Sequence, residues 1–148
     1  MLDGKRGLVF AVVFALGMGF LLYLGPYRTS RDQKHIRALL GRMRTADVTY
    51  LIVYNGHQAL GSHRTINDPA TIQALVQSVK KGVSHSPNHD AAGRFERYVI
   101  LEPQHIAFRA YELASSNALI VVVEELSTRG RVLRSAYFKV PWEAWKDL

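Results

Sequence analysis

The chain has 148 residues, a formal net charge of +7 and no cysteine, which excludes disulfides, thiolate metal sites and cysteine nucleophiles. Its length allows one domain with a sizeable core in addition to a short anchor. Residues 1–44 contain eight basic and two acidic side chains, whereas the rest of the chain is nearly neutral. Nucleic-acid binding needs a concentrated basic face on the folded domain, so this distribution argues against a nucleic-acid partner.

An uncharged apolar run extends from Leu8 to Leu24, with basic residues on both sides. With one glycine at each end, segment 7–25 has about the shortest length that spans a bilayer as a helix. A cleaved signal peptide would share the charged start. However, the apolar run is longer than is usual for one, and no small-x-small cleavage site follows it. We therefore predict a short basic tail over 1–6, an uncleaved transmembrane helix over 7–25, and membrane lipid as a partner.

Small residues recur every four positions along one stripe of this segment, namely Gly7, Ala11, Ala15 and Gly19. Such a stripe lets two membrane helices approach closely, which predicts packing against another membrane helix. The alternative is that glycine and alanine are simply common in membrane helices.

The side of the membrane on which the domain lies stays open. Six basic residues follow the apolar run within twenty positions and two precede it, which favours a cytoplasmic domain. A short basic N-terminus before a single apolar segment is instead the common pattern of a signal anchor that exports the domain.

Segment 26–46 predicts a basic amphipathic helix from about Thr29 to Arg44. Its apolar residues follow helical spacing and form one stripe, made of Ile36, Leu39, Leu40 and Met43. The helix can lie in the headgroup layer with its basic residues near lipid phosphates, or pack its apolar stripe on the domain that follows. The residues predicted to face the membrane surface are Arg28, Arg31, Lys34, Arg37, Arg42 and Arg44.

Segment 47–148 predicts a small domain that begins with a hairpin. Val48 to Tyr54 is rich in β-branched and aromatic residues, Asn55-Gly56 is a strong turn signal, and a second strand follows over about 59–66. A helix comes next, because Asn67 or Asp68 can cap it and Pro69 suits its first position.

Four further strands follow this helix, separated by short connections that suit antiparallel hairpins. A final short helix is predicted after Pro141, with Trp142 and Trp145 on one face. The order ββαββββα predicts an α+β fold, in which a six-stranded, mainly antiparallel sheet carries one main helix on one face. The four strands are predicted over about 95–101, 105–113, 118–124 and 131–140.

The loop 82–94 is the one polar cluster that the sequence singles out as a ligand or partner site. Its candidate residues are His85, Asn88, His89 and Asp90. Pro87 lies between the two histidines and disfavours the helix that would bring them together, so we predict no metal and no cofactor. A solvated connection between helix and strand is the alternative interpretation.

Catalytic motifs with a recognisable spacing are missing from the sequence, so we expect no enzyme. Arg97 and Arg109 alternate within apolar strands and are expected to pair across the sheet with Glu96, Glu112 or Glu124, as ordinary surface pairs. The anchor and the small domain together favour a non-catalytic accessory subunit or assembly factor of a larger membrane complex, with other membrane protein subunits as partners. The alternatives are a membrane-tethered immunity protein against a toxin and a ligand sensor that uses the 82–94 loop.

Overall fold

The computed structural model describes residues 14, 18, 29–55, 62–85, 92–113 and 118–148. Of the predicted anchor, only Phe14 and Met18 are among them, and both are helical and exposed. The small-residue stripe lies outside the described residues. Among the described residues, no helix has the length and apolar character needed to cross a membrane.

The described chain forms an α+β fold with a seven-stranded sheet and two α-helices. Residues 29–42 are helical (α1), Pro69–Lys80 is α2, and short 3-10 turns cover Thr45–Asp47 and Trp142–Ala144. The strands are β1 Tyr50–Asn55, β2 His63–Ile66, β3 Val83–Ser84, β4 Ala92–Glu102, β5 Ile106–Leu113, β6 Ala118–Leu126 and β7 Val132–Pro141. Every pairing is antiparallel and the order across the sheet is β2-β1-β4-β5-β6-β7-β3.

The predicted strand number was one too low, because β3 forms inside the segment predicted as a loop. This two-residue strand pairs Val83 with Lys139 and adds to the edge of the sheet beside β7. Gly82 makes the approach possible, since a Cβ atom there would lie 2.9 Å from Cγ1 of Val140. The short final helix predicted after Pro141 is a single 3-10 turn over Trp142–Ala144, and the side chain of Trp145, which follows it, is buried in the core.

The helix α2 has the predicted start and the predicted buried stripe. The side chain of Asp68 accepts a hydrogen bond from the backbone N–H of Thr71 at 2.8 Å, and Pro69 occupies the first helical position. The stripe packs on the sheet through Ile72, Leu75, Val76 and Val79, all of them buried.

The helix α1 packs on the same face of the sheet as α2. Ile36 and Leu40 on this helix, and Met43 directly after it, are at most 6% exposed and belong to the main hydrophobic core. The guanidinium group of Arg37 donates to the carbonyl oxygen of Gly82 at 3.0 Å and lies 4.9 Å from the ring centre of Phe138. Of the two alternatives that the sequence leaves open for the stripe, the structure shows packing on the domain.

Candidate functional site

The sheet has a second face on which neither described helix packs. Successive side chains of a strand point to opposite faces, so the residues that alternate with the main core share this one. We call it the tyrosine face. Its apolar and central members are Tyr50, Ile52, Tyr54, Tyr98, Ile100, Ala107, Arg109, Tyr111, Ile120, Val122, Glu124, Leu126 and Tyr137, and its other polar members include His63, Thr65, Glu102, Ser135 and Lys139.

Aromatic side chains are spread across several strands of the tyrosine face. The ring of Tyr54 on β1 lies 6.2 Å from that of Tyr98 on β4 and 5.5 Å from that of His63 on β2. Tyr54, Tyr111 and Tyr137 are partly exposed, and Tyr50 is 36% exposed. A tyrosine buries a large apolar ring while its hydroxyl keeps a polar contact, and this combination is enriched at protein interfaces.

An ion pair lies at the centre of this face, between β5 and β6. Nη2 of Arg109 is 3.3 Å from Oε1 of Glu124, and the Glu124 side chain is only 8% exposed. The same guanidinium group lies 5.3 Å from the ring centre of Tyr98. The pairing that the sequence predicts is therefore confirmed for Arg109 and Glu124, but the carboxylate is buried and not on the surface.

Burial governs the protonation of this cluster. It raises the pKa of Glu124, against the opposing effects of Arg109 and of the Tyr98 hydroxyl. Burial, followed by the negative charge of Glu124, raises the pKa of Tyr98 to about 12. The Oε2 atom of Glu124 is buried without a well-formed hydrogen bond among the described residues. The cluster therefore fixes three strands of the tyrosine face and does not present an accessible carboxylate.

The raised pKa of Glu124 predicts a stability that depends on pH. Because the folded state holds the proton more tightly than the unfolded chain, this contribution to stability is complete below the unfolded pKa. It is lost as the pH rises through the higher folded pKa. We expect Glu124→Gln to gain stability relative to the parent chain as the pH rises above the ordinary pKa of a glutamate, as measured by urea unfolding.

The matched control for this titration is Glu143→Gln, which changes an exposed carboxyl group. The pH dependence that is specific to Glu124 is the difference between the stability profiles of the two variants. Equal profiles for both variants would contradict the assignment.

Arg97 behaves differently from Arg109, because it lies on the helix-covered face. Its Nε atom donates to the backbone carbonyl oxygen of Leu148 at 2.9 Å.

The two adjacent glutamates of β6, Glu124 and Glu125, face opposite sides of the sheet, as the alternation of a strand requires. Oε2 of Glu125 is 2.9 Å from Nη1 of Arg134 and 3.2 Å from Nε2 of His35 on α1.

Of the four candidate residues in the predicted ligand loop, only His85 is among the described residues. Its backbone N–H donates to the carbonyl oxygen of Tyr137 at 2.9 Å, directly after β3, and its Nε2 atom is buried. A shallow depression of about 470 Å³ lies nearby, lined by Gln33, Lys34, Arg37, Ala38 and Ser84. Asn88, His89 and Asp90 lie outside the described residues, so ligand binding by this loop stays a prediction.

Metal-ligating side chains do not converge within the described part of the chain. The ranges given above contain no group of three or more histidine, aspartate or glutamate residues that could hold a metal ion.

The residues predicted to face the membrane surface have different surroundings. Arg37 bonds to the domain, and Arg44 pairs with Asp47 at 2.9 Å, which lowers the pKa of that carboxyl group. Lys34 and Arg42 are exposed on α1. Arg31 is also exposed and lines a depression of about 320 Å³ together with Asp32, Leu133 and Arg134. Arg28 lies outside the described residues.

The sequence predicts the hairpin between β6 and β7, and the structure confirms it, but the sequence does not single out its tip as a candidate surface. Val132 and Leu133 are 50% and 57% exposed, and the neighbouring Arg129 and Arg131 are exposed as well. The available signal was a pair of aliphatic residues bracketed by arginines, which is unusual at the tip of a hairpin.

No protein-family model, curated protein or solved structure matches this chain. Function must therefore be argued from the chemistry of its surfaces.

Proposed function

We propose that this chain is a membrane-anchored, non-catalytic accessory protein that binds another subunit of a membrane complex through its tyrosine face. The observation that carries the proposal is the one-sided packing of the sheet. Both described helices pack on one face, and the other carries partly exposed tyrosines and isoleucines. Its central residues are buried, but Tyr50 is exposed and Ile52, Tyr54, Ile100, Tyr111 and Tyr137 are partly exposed on four strands. Apolar side chains exposed together in this way mark a candidate interaction site.

The distance between the domain and the predicted anchor supports a partner in the same membrane. Only residues 26–28 separate the predicted span from the described part of α1. Three residues reach at most about 10 Å when extended. Because α1 belongs to the core of the domain, the sheet is held close to the bilayer.

The chemistry of the tyrosine face defines the partner surface that would fit it. The half-buried rings favour an apolar protein surface, and the tyrosine hydroxyls require hydrogen-bond acceptors or donors around it. Arg109 and Glu124 neutralise each other, so the centre of the face favours neither an acidic nor a basic partner.

Site-specific cross-linking in the native membrane tests the proposal. A photoreactive phenylalanine analogue replaces Tyr50 or Tyr111 on the tyrosine face, and Lys81, exposed at the end of α2, is the control position. We expect both tyrosine positions to capture the same integral membrane protein, and the control position to capture none. In mild detergent, Tyr111→Arg should release the chain from that complex, because a charge then enters an apolar interface.

Two results would overturn the proposal. One is a chain that purifies as a free monomer and cross-links from neither tyrosine position. The other is capture of the same protein from Lys81. Specific capture of a toxin from the tyrosine positions would support the immunity alternative instead.

A further inference from the structure

The tip of the hairpin between β6 and β7 has a fixed shape. The backbone N–H of Ser127 donates to the carbonyl oxygen of Arg131 at 2.8 Å, and Gly130 N–H donates to the Ser127 carbonyl oxygen at 2.8 Å. The Ser127 hydroxyl oxygen also accepts from Arg131 N–H at 3.1 Å. Gly130 has a φ of +73°, which a residue with a Cβ adopts only with strain.

This rigid tip presents aliphatic and basic side chains to the surroundings. Leu126 pairs with Val132 and Glu125 pairs with Arg134, so Leu133 is the extra residue of a bulge. A bulge redirects a side chain away from the regular alternation, and Leu133 is 57% exposed. We call Arg129, Arg131, Val132 and Leu133 the basic tip.

The basic tip lies beside the part of α1 that is nearest to the predicted anchor. Nη1 of Arg134 is 3.1 Å from Nε2 of His35, and Leu133 shares a depression with Arg31 and Asp32. Residues 26–28 alone connect this part of α1 to segment 7–25. With the anchor in place, the basic tip therefore lies on the membrane side of the domain.

We propose that the basic tip enters the headgroup layer of an anionic bilayer, an inference that rests on the membrane anchoring in the proposed function. Val132 and Leu133 bury their side chains at the boundary of the acyl chains, and Arg129 and Arg131 contact lipid phosphates. Aliphatic residues flanked by cations are the combination that binds such a surface, through burial of apolar area and attraction to anionic lipid.

This contact would orient the whole domain. With the hairpin directed at the bilayer, β6 and β7 extend away from the bilayer surface, and the two faces of the sheet are roughly perpendicular to that surface. The tyrosine face is then open to a neighbouring membrane subunit, as the proposed function requires.

Fluorescence quenching by spin-labelled lipid tests the contact on the full chain. Because the chain has no cysteine, Leu133→Cys and Val83→Cys each give one site for an environment-sensitive dye. Val83 is the matched control, because it is also an aliphatic residue and is 70% exposed. It pairs with Lys139, which lies five residues, or about 17 Å, from Arg134 along β7. The chains are reconstituted into vesicles of phosphatidylcholine and phosphatidylglycerol that contain lipid with a nitroxide near the headgroup.

We expect the dye at position 133 to shift to the blue and to be quenched, and the dye at position 83 to show neither effect. In Arg129→Gln and Arg131→Gln backgrounds, the equilibrium constant for insertion of the tip should fall roughly fivefold for each charge removed. In vesicles of phosphatidylcholine alone, which carry no anionic lipid, the dye at position 133 should also be quenched less.

Alkaline carbonate extraction separates failure of the tip from failure of the anchor. If the chain stays in the vesicles while the dye at position 133 is unquenched, the proposed lipid contact of the basic tip is wrong and the anchor is supported. A chain that is extracted overturns the anchor and the tip with it. Equal quenching at positions 133 and 83 overturns the orientation, because the domain would then lie flat on the bilayer.

Discussion

Replacing Trp145 by alanine is expected to lower the free energy of unfolding by about 3–5 kcal/mol. The side chain is fully buried, and its ring centre lies 6.2 Å from that of Phe108 on the central strand β5. Its indole N–H donates to the hydroxyl oxygen of Ser78 at 3.1 Å, and that hydroxyl donates to the carbonyl oxygen of Leu75 at 2.7 Å. Removal of the ring leaves a cavity between α2 and the sheet. Urea unfolding of the solubilised full chain, followed by circular dichroism, measures the loss.

Two further variants show which part of Trp145 matters. Trp145→Phe keeps most of the buried ring but removes the indole donor, so its loss should be smaller than that of Trp145→Ala. Lys146→Ala changes an exposed neighbour and should stay within about 0.5 kcal/mol of the parent chain. A loss of less than about 1 kcal/mol for Trp145→Ala would mean that the last turn does not complete the core.

Elements with strong local signals could be predicted from the sequence. The cap at Asp68, the proline after it and the apolar stripe of α2 are all set within a few residues, and the structure confirms them. The β-branched and aromatic runs that form β1 and β6 are equally local signals. The start of β2 was placed earlier than His63, where the described strand begins.

Elements that depend on distant contacts could not be predicted. The two residues of β3 are too few to show alternation, and they form a strand because Gly82 lets the chain approach Val140 on β7. The burial of Glu124 has a similar origin. The sequence predicts its pairing with Arg109, but its burial depends on side chains from other strands, among them Tyr98 on β4.

The candidate surfaces were missed because the sequence does not place α1. Once α1 packs on the same side as α2, the opposite side of the sheet has no described helix over it, and the tyrosines there become a candidate interface. The position of α1 also brings His35 to Arg134 and thereby puts the β6–β7 hairpin beside the first turns of α1, which directly follow the predicted anchor in the sequence. Both proposals therefore depend on the packing of α1 against the sheet.

Replacing Ile36 by alanine tests that packing and should lower the free energy of unfolding by about 2–5 kcal/mol. Ile36 is completely buried in the main core, although it lies in the segment that directly follows the predicted membrane span. If the apolar stripe of α1 lay in the headgroup layer instead, the truncation would weaken lipid contact and leave unfolding of the domain almost unchanged. Unfolding by urea in a mild detergent, with and without added anionic lipid, distinguishes the two arrangements.

Lys34→Ala is the matched control, because Lys34 is exposed on the same helix. It should stay within about 0.5 kcal/mol of the parent chain in the absence of lipid. An equally small loss for Ile36→Ala would show that α1 does not belong to the core. The proposed rigid link between the predicted anchor and the sheet would then be wrong. A large loss at Ile36 together with none at Lys34 would mean that α1 is part of the folded core, so that the predicted anchor would hold the tyrosine face and its proposed partner close to the bilayer.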